Sequence, residues 1–280
     1  NFANETLRKK YVPDCASGRK VVAFVLTEPN AGSDAANQST TAVDKGDHYL
    51  VNGEKIFIMH GDVAELGVLF CKIDGKPKMS AMIVETNQPG WQKRTLKNKM
   101  GMRAATTGGI IIKDVKVPKE NLVGEEGKGF RYAMNTLDSA RVGVAAQGFG
   151  IAQRALDESV KYANKRIAFG QPIAKLQAIQ WMIADMATRV EAGRCLTYKA
   201  AQMQDRGEKY GLEASMAKLY ASEIANFCVD RAMQIHGGYG YIGEFSAIEK
   251  LYRDQRVLEI YEGTSEVQRL VIAGNVLAKG

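Results

Sequence analysis

Few residues in this chain have types and spacings that could do chemistry, and one carboxylate stands out among them. Glu262 lies in Ile260-Tyr261-Glu262-Gly263-Thr264-Ser265-Glu266-Val267-Gln268, between an aromatic residue and a glycine. Ser265 and Gln268 have the spacing of an S-x-x-Q capping box, which predicts a last helix starting at Ser265. Glu262 would then sit just before a helix N-terminus. The default for such a residue is a solvated turn carboxylate. The alternative is a carboxylate facing a closed apolar pocket, its pKa raised towards use as a general base.

Other segments are weaker alone. Thr27-Glu28-Pro29-Asn30-Ala31-Gly32-Ser33-Asp34 follows a buried-type strand. It reads as a surface connection or as a cradle of N–H and hydroxyl donors for a polar ligand edge. Asp138 and Arg141, spaced i, i+3 within a long helix, read as an ordinary surface pair. Arg166–Ile173 reads as a helix end and a turn. Gly238-Tyr239-Gly240-Tyr241-Ile242-Gly243 matches G-x-G-x-x-G, but a helix precedes it where a dinucleotide-binding turn needs a strand. It therefore reads as a helix C-cap and tight loop.

Two kinds of segment must position these residues. Five of the six prolines lie in the first 118 residues. There, short apolar runs (Val21–Leu26, Ile56–Met59, Leu66–Cys71, Met79–Val84, Ile110–Ile112, then Val115 and Val117) alternate with turn residues, and Lys45-Gly46-Asp47, Asn52-Gly53 and Asp74-Gly75 are hairpin signals. This half is expected to be all-β and antiparallel, a sandwich or barrel. From about Gly127 the period is helical: Ile179, Met182, Ile183, Met186 and Val190 share one face, as do Tyr220, Ile224, Phe227 and Cys228. Helices are predicted over roughly 127–165, 175–206, 212–236, 246–259 and 265–279, packed as an antiparallel bundle. The fold class is α+β, divided as 1–20 (helix end and linker), 21–125 (middle β-domain) and 126–280 (C-terminal helical bundle).

Composition narrows the chemistry. The 280 residues include 38 Lys+Arg against 31 Asp+Glu, a net charge of +7, with 25% charged and 45% hydrophobic residues. That balance excludes wholesale disorder. No apolar run reaches the roughly 20 residues of a membrane span. No run of five Lys/Arg supports a nucleic-acid partner, and the diffuse positive charge suits a small polyanion. Cys15, Cys71, Cys195 and Cys228 have no metal spacing and read as reduced thiols, and three scattered histidines argue against zinc, any other metal or a His-centred triad. The chain opens at Asn1 with neither Met nor targeting signal, and NFANETLRKKYVPDCASG reads as the tail of a helix and a linker. It is therefore expected to be part of a longer polypeptide.

Taken in order, LTEPNAGSD, VNGEKIFI, GMRAATT, LDSARVGVAAQGFGIAQ, RIAFGQPI, QIHGGYGYIGE and IYEGTSEVQRLVIAG resemble the acyl-CoA dehydrogenase family from about residue 5 to residue 280. The last motif is most similar to short-chain, butyryl-type members. The resemblance implies a middle β-domain, a C-terminal four-helix bundle, bound FAD and a homotetramer built as a dimer of dimers. The family's N-terminal helical domain has no counterpart here. By resemblance, Glu262 removes the α-proton of a short-chain acyl-CoA while a β-hydride passes to flavin N5, giving a trans-2-enoyl-CoA. The thioester oxygen would be held by the Glu262 backbone N–H and a flavin ribityl hydroxyl. Some relatives carry the base at the third position of the DSAR segment, which is Ala140 here.

The resemblance also implies site residues. Phe24, Val25, Leu26, Thr27, Ser33, Phe57, Ile58 and Met59 would meet the flavin. Arg166, Phe169 and Gln177, with Gln234, Ile235, His236, Gly237 and Gly238, would hold the FAD of a neighbouring subunit. Thr264, Ser265 and Glu266 would meet FAD phosphates at a helix start. Ser33, Asp138, Arg141, Tyr261 and Gly263 would contact the acyl-CoA. Where relatives place a threonine hydroxyl near flavin N5, this chain has Met59, which cannot offer one. An electron-transfer flavoprotein is the implied partner, and a bacterial cytoplasm or mitochondrial matrix the implied compartment. The rival readings are an enoyl-CoA reductase, a non-catalytic paralogue or assembly subunit, and a flavin oxidase or monooxygenase.

Overall fold

The computed structural model describes residues 2–278, which divide into two compact units: 2–99 with 103–135, and 100–102 with 136–278.

The first unit opens with α1 (Glu5–Ala16), capped by the Asn4 side chain, which accepts from the Leu7 N–H at 2.9 Å. Leu7 and Tyr11 bury one face of α1 against Leu66 and Ile83. Seven strands follow: β1 (Val22–Val25), β2 (Thr41–Asp44), β3 (His48–Met59), β4 (Leu66–Ile73), β5 (Met79–Glu85), β6 (Trp91–Thr95) and β7 (Thr107–Pro118). They form one sheet in the order β1-β4-β2-β3-β7-β6, with β5 also paired to β4. The alternating inward residues, among them Val25, Val51, Leu69, Met82, Ile110 and Val115, make its core.

The all-antiparallel expectation fails at one end. β1 pairs with β4 in parallel, Val22 opposite Leu66, and β2 also touches β4 in parallel. A parallel pair needs a long crossover, which the stretch between β1 and β4 supplies. Asp74-Gly75 does turn between β4 and β5, and Gly46 between β2 and β3. Asn52-Gly53 does not turn. It lies within β3 where the register with β7 shifts, and a Cβ on Gly53 would collide with the Thr40 side chain. Close approach, not a hairpin, is the reason for that glycine. β2 and β6 were unforeseen because each is short, with a single fully buried apolar residue, Ala42 in β2 and Trp91 in β6.

The second unit is helical: α2 (Gly129–Lys165), the two-residue strands β8 (Ile167–Ala168) and β9 (Gln171–Pro172), α3 (Gln177–Asp205), α4 (Gly211–His236), α5 (Gly238–Tyr241), α6 (Ile248–Gln255) and α7 (Ser265–Leu277). Met186, Val190, Ile224 and Cys228 lie in its core, with Ile179, Met182 and Ile183 packed against them, as the 3.6-residue period requires. The single helix predicted over 246–259 is α6 followed by a 3-10 turn at Arg256–Glu259. The last helix stops at Leu277; the predicted end at 279 lies outside the described residues. Gly237 caps α4 at φ +56 just before the G-x-G-x-x-G segment, whose first four residues form the single turn α5. All four cysteines are free thiols, and no described helix is long and apolar enough to cross a membrane.

Candidate active site

Glu262 sits between the 3-10 turn and α7 with its backbone in the left-handed region, at φ +56, followed by Gly263 at φ +89. Two left-handed residues in succession turn the chain sharply, and a non-glycine residue adopts that region only at a cost. At φ +89 any side chain on residue 263 would be strained, and its Cβ would also press on the Gln268 amide.

Three side chains hold this turn by its carbonyl oxygens. Lys218 Nζ on α4 donates to Gly263 O at 2.6 Å. Gln268 Nε2 on α7 donates to Glu262 O at 3.2 Å and to Gly263 O at 3.0 Å. Arg141 Nε on α2 reaches Glu262 O at 3.5 Å. The predicted S-x-x-Q capping box is therefore corrected. Thr264 is the N-cap of α7, its hydroxyl accepting from the Val267 N–H at 3.3 Å. Gln268 is engaged with the 262–263 turn, and the Ser265 hydroxyl is buried without a hydrogen-bond partner among the described residues. Helix α7 does start at Ser265.

The Glu262 carboxylate is treated in the opposite way. Its Oε2 is buried and has no hydrogen-bond partner among the described residues. Burial pushes its pKa above the ordinary carboxylate value, against the pull of Arg141 and Lys218. Glu262 is thus not the solvated turn carboxylate of the default reading: the residue is half-buried, with one carboxylate oxygen withdrawn from solvent. The neighbouring Tyr261 hydroxyl donates to Gln147 Oε1 at 2.5 Å, and burial, with the Glu262 charge, pushes it up to about 12.

Arg141 is not the exposed helix residue its spacing suggested: it is 5% exposed. Its Nη1 donates to Asp138 Oδ1 at 2.8 Å and reaches Ser215 Oγ at 3.5 Å. Burial raises the Asp138 pKa despite Arg141. The sequence reading gave Gln268 a capping role in place of its hold on the turn, and it missed Lys218. Ala214, Lys218 and Ala221 follow a buried i, i+4, i+7 stripe, and a lysine inside such a stripe was the signal.

In the first unit, the segment Phe24–Ser33 and the end of β3 are joined, because the Ile56 N–H donates to Thr27 O at 3.0 Å. The β3–β7 register shifts between Lys55 and Ile58, where Phe57 takes φ +58, and this bulge turns Phe57 and Met59 outward while Ile58 stays buried. Val25 and Leu26 are core side chains, so they offer a ligand only backbone; Thr27 is half-buried and Ser33 exposed. Behind this platform Lys55, fully buried, lies 3.0 Å from Glu28 and donates to Leu26 O at 2.9 Å, to Gln38 Oε1 at 2.8 Å and to Phe70 O at 2.8 Å. Glu28 also accepts from Ser39 N at 2.6 Å, Ser39 Oγ at 2.7 Å and Thr40 N at 3.0 Å. Burial alone would raise its pKa, but Lys55 and these donors hold it at about 2. Sequence reasoning missed this pair.

Elsewhere in the second unit, Arg166, His236, Gly237 and Gly238 line one cavity of about 480 Å³, with Tyr162, Tyr239 and Phe245 among its walls. His236 stacks on Tyr162 with ring centroids 4.4 Å apart, and burial lowers its pKa. Gly238 faces open space where a Cβ would be, leaving its backbone approachable. Phe169 and Gly170, at φ +52 and +76, form the tip of the β8–β9 hairpin, and Phe169 is 90% exposed. Phe169, Gln177, Gln234 and Ile235 do not line the cavity, and Ile235 is a core residue.

Each unit by itself offers features that suit part of a polyanionic cofactor with flat rings. In the first unit the outward Phe57 and Met59 and the nearby Thr27 offer a platform for a ring. In the second, the first N–H groups of α7 are free of intrahelical partners by construction, and the aromatic cavity carries Arg166. No cluster of three His, Cys, Asp or Glu residues among those described could hold a metal.

Residues 23–115 match the family model of the acyl-CoA dehydrogenase middle domain, and residues 127–277 that of the acyl-CoA dehydrogenase C-terminal domain. The chain belongs to the acyl-CoA dehydrogenase family, whose cofactor is FAD, and its class is that of the flavoprotein oxidoreductases acting on acyl-CoA. Among particular relatives, it is 52% identical over 274 residues to subunit CarC of the caffeyl-CoA reductase–Etf complex of Acetobacterium woodii, covering 97% of this chain and 72% of that protein. It is 46% identical over 283 residues to the acryloyl-CoA reductase (NADH) of Anaerotignum propionicum, covering 99% and 72%. Its fold superposes on the butyryl-CoA dehydrogenase of Megasphaera elsdenii with TM-score 0.95 at 42% identity, covering 99% of this chain and 73% of that one. The α+β class of a β-domain followed by a helical bundle holds.

Proposed function

We propose that this chain interconverts a short-chain acyl-CoA and its trans-2-enoyl-CoA, with Glu262 moving the α-proton. The observation that carries the reading is the buried, unpartnered Oε2 of Glu262, with its raised pKa. An α-proton beside a thioester is only weakly acidic, so its base must be stronger than a solvated carboxylate. Burial of one carboxylate oxygen without a hydrogen-bond partner supplies that strength. The turn is held by the carbonyls of Glu262 and Gly263, not by the Glu262 N–H. That leaves this N–H for the thioester oxygen, where charge develops as the proton leaves. Tyr261 and Gly263 flank the base and would line the acyl site.

FAD supplies, when bound, the acceptor for the β-hydride. Thr27, Ser33, Phe57 and Met59 would hold its flavin end. Thr264–Glu266 would meet phosphate through backbone N–H groups, since the Thr264 hydroxyl already caps α7. Arg166, His236, Gly237 and Gly238 would take the adenine and pyrophosphate of a second subunit's FAD in a homotetramer. Arg141 and Asp138 would sit beside the CoA thioester end.

Dehydrogenation is the first reading of direction. Reduction of the enoyl-CoA is favoured by one observation, the similarity to the caffeyl-CoA and acryloyl-CoA reductases; Met59 in place of a hydroxyl donor bears on the flavin potential without setting its sign. A raised pKa serves this direction too, because a protonated Glu262 must deliver the α-proton. The name of the Acetobacterium relative, which includes Etf, supports an electron-transfer flavoprotein as redox partner.

The test uses the full-length protein. Butyryl-CoA should bleach bound flavin reversibly, and crotonyl-CoA should reoxidise it. Glu262→Gln should lower both rates by about 10²- to 10⁴-fold with FAD retained. Full turnover in that variant would overturn the assignment of the base.

A further inference from the structure

Lys218 has no place in the reaction described so far, yet its side chain is completely buried on α4, between Ala214, Ala217 and Ala221. A buried ammonium is costly unless its charge is met. Lys55, the other fully buried lysine, is met by a carboxylate. Lys218 is not: its hydrogen bond goes to the neutral carbonyl of Gly263, and no ion pair joins it among the described residues. A purely structural lysine would gain from a carboxylate partner, and an apolar residue would fill the space more cheaply. What Lys218 does touch is the turn that carries the base.

Resting on the assignment of Glu262 as that base, we propose that Lys218 is a positioning residue. Its ammonium, seated on the Gly263 carbonyl, fixes the left-handed turn that aims the Glu262 carboxylate and keeps positive charge behind it. The charged groups facing this turn come from every element around it. Arg141 on α2 and Lys218 on α4 act on Glu262, and Glu259 on the 3-10 turn and Glu266 on α7 act on Lys218 in addition to Glu262 and Arg141. Burial and then Arg141 lower the Lys218 pKa to about 8, so the group is still charged at neutral pH. The turn thus has two separable supports from one side chain: a hydrogen bond that sets direction and a charge that limits how far burial raises the base.

Lys218→Met removes both supports, and Lys218→Gln removes the charge while keeping an N–H donor for the Gly263 carbonyl on a side chain one bond shorter. In full-length protein with FAD bound, the Met variant should lose about a hundredfold in kcat through misplacement of the base. The Gln variant should recover part of that loss. In both, the pH limb of kcat/KM assigned to Glu262 should move upward, by up to about one pH unit. The shift has the same sign in either direction of reaction, because it follows the pKa and not the protonation state required. A limb at the wild-type pH in whichever variant folds overturns the proposal, as does a Gln variant no faster than Met. Failure of the base assignment is seen separately: Glu262→Gln would then retain turnover.

Discussion

Two buried lysines set near glutamates divide this chain's electrostatics between them, and they do opposite things. In the β-unit, Lys55 and Glu28 are 3.0 Å apart, and the remaining hydrogen-bonding capacity of both is met by Leu26 O, Gln38, Phe70 O, Ser39 and Thr40. The carboxylate there is held at about 2. In the helical unit, Lys218 binds a carbonyl and Glu262 keeps one oxygen bare, and that carboxylate is raised. Burial is common to both. What differs is where the donors point: at the carboxylate in one case, at the backbone behind it in the other. A carboxylate satisfied on all sides is scaffolding, here riveting the segment that leads to Thr27 and Ser33. One with an oxygen buried and left short of partners has the raised pKa that the proposed base requires.

The comparison can be broken most directly by removing Lys55. Lys55→Met leaves Glu28 buried and unpaired, and should cost about 3–5 kcal/mol in denaturant unfolding. Adding Glu28→Gln should recover much of that loss. A cost under about 1 kcal/mol, as for an exposed pair, would mean the rivet is decorative.

A subtler consequence is the pH dependence of stability, where the two glutamates have opposite signs. Glu28 has a folded pKa of about 2 against an ordinary 4.5. Its contribution is complete above the ordinary value and is lost as pH falls through the folded one. Glu262 is raised, so the folded state keeps a proton that the unfolded chain has released. Its contribution declines as pH rises above the ordinary value towards the folded one. Unfolding free energies measured across the acid range should therefore flatten on the acid side in Glu28→Gln and on the neutral side in Glu262→Gln. Parallel curves for the two variants would erase the distinction.

Much of this was legible in the sequence. Glu262 stood out because a glutamate before a helix start, between Tyr261 and Gly263, is a local pattern, and the helical period of α3 and α4 is local too. The rest depends on contacts that no spacing encodes. Lys55 and Glu28 are far apart in the chain, and each alone reads as a surface charge. Arg141 looked like half of an exposed pair because i, i+3 spacing says nothing about which face is covered. The parallel β1–β4 pairing was hidden because apolar runs reveal strands but not their partners. Asn52-Gly53 misled because its glycine answers to Thr40 on another segment and not to its own neighbours.

The left-handed backbone of Glu262 carries a consequence for how this protein can change over generations. Glycine at 262 would relieve the backbone and delete a carboxyl group that has one buried, unpartnered oxygen, so with Glu262 as the proposed base, thermal tolerance and turnover pull this codon in opposite directions. The gain is small, about 1 kcal/mol. In a library selected for heat resistance with no demand on turnover, Glu262→Gly should accumulate, and steady retention of glutamate would show that the position is not strained. With Glu262 as the proposed base, the residue would persist only while the reaction is needed, and a lineage relieved of that need should show the loss here first.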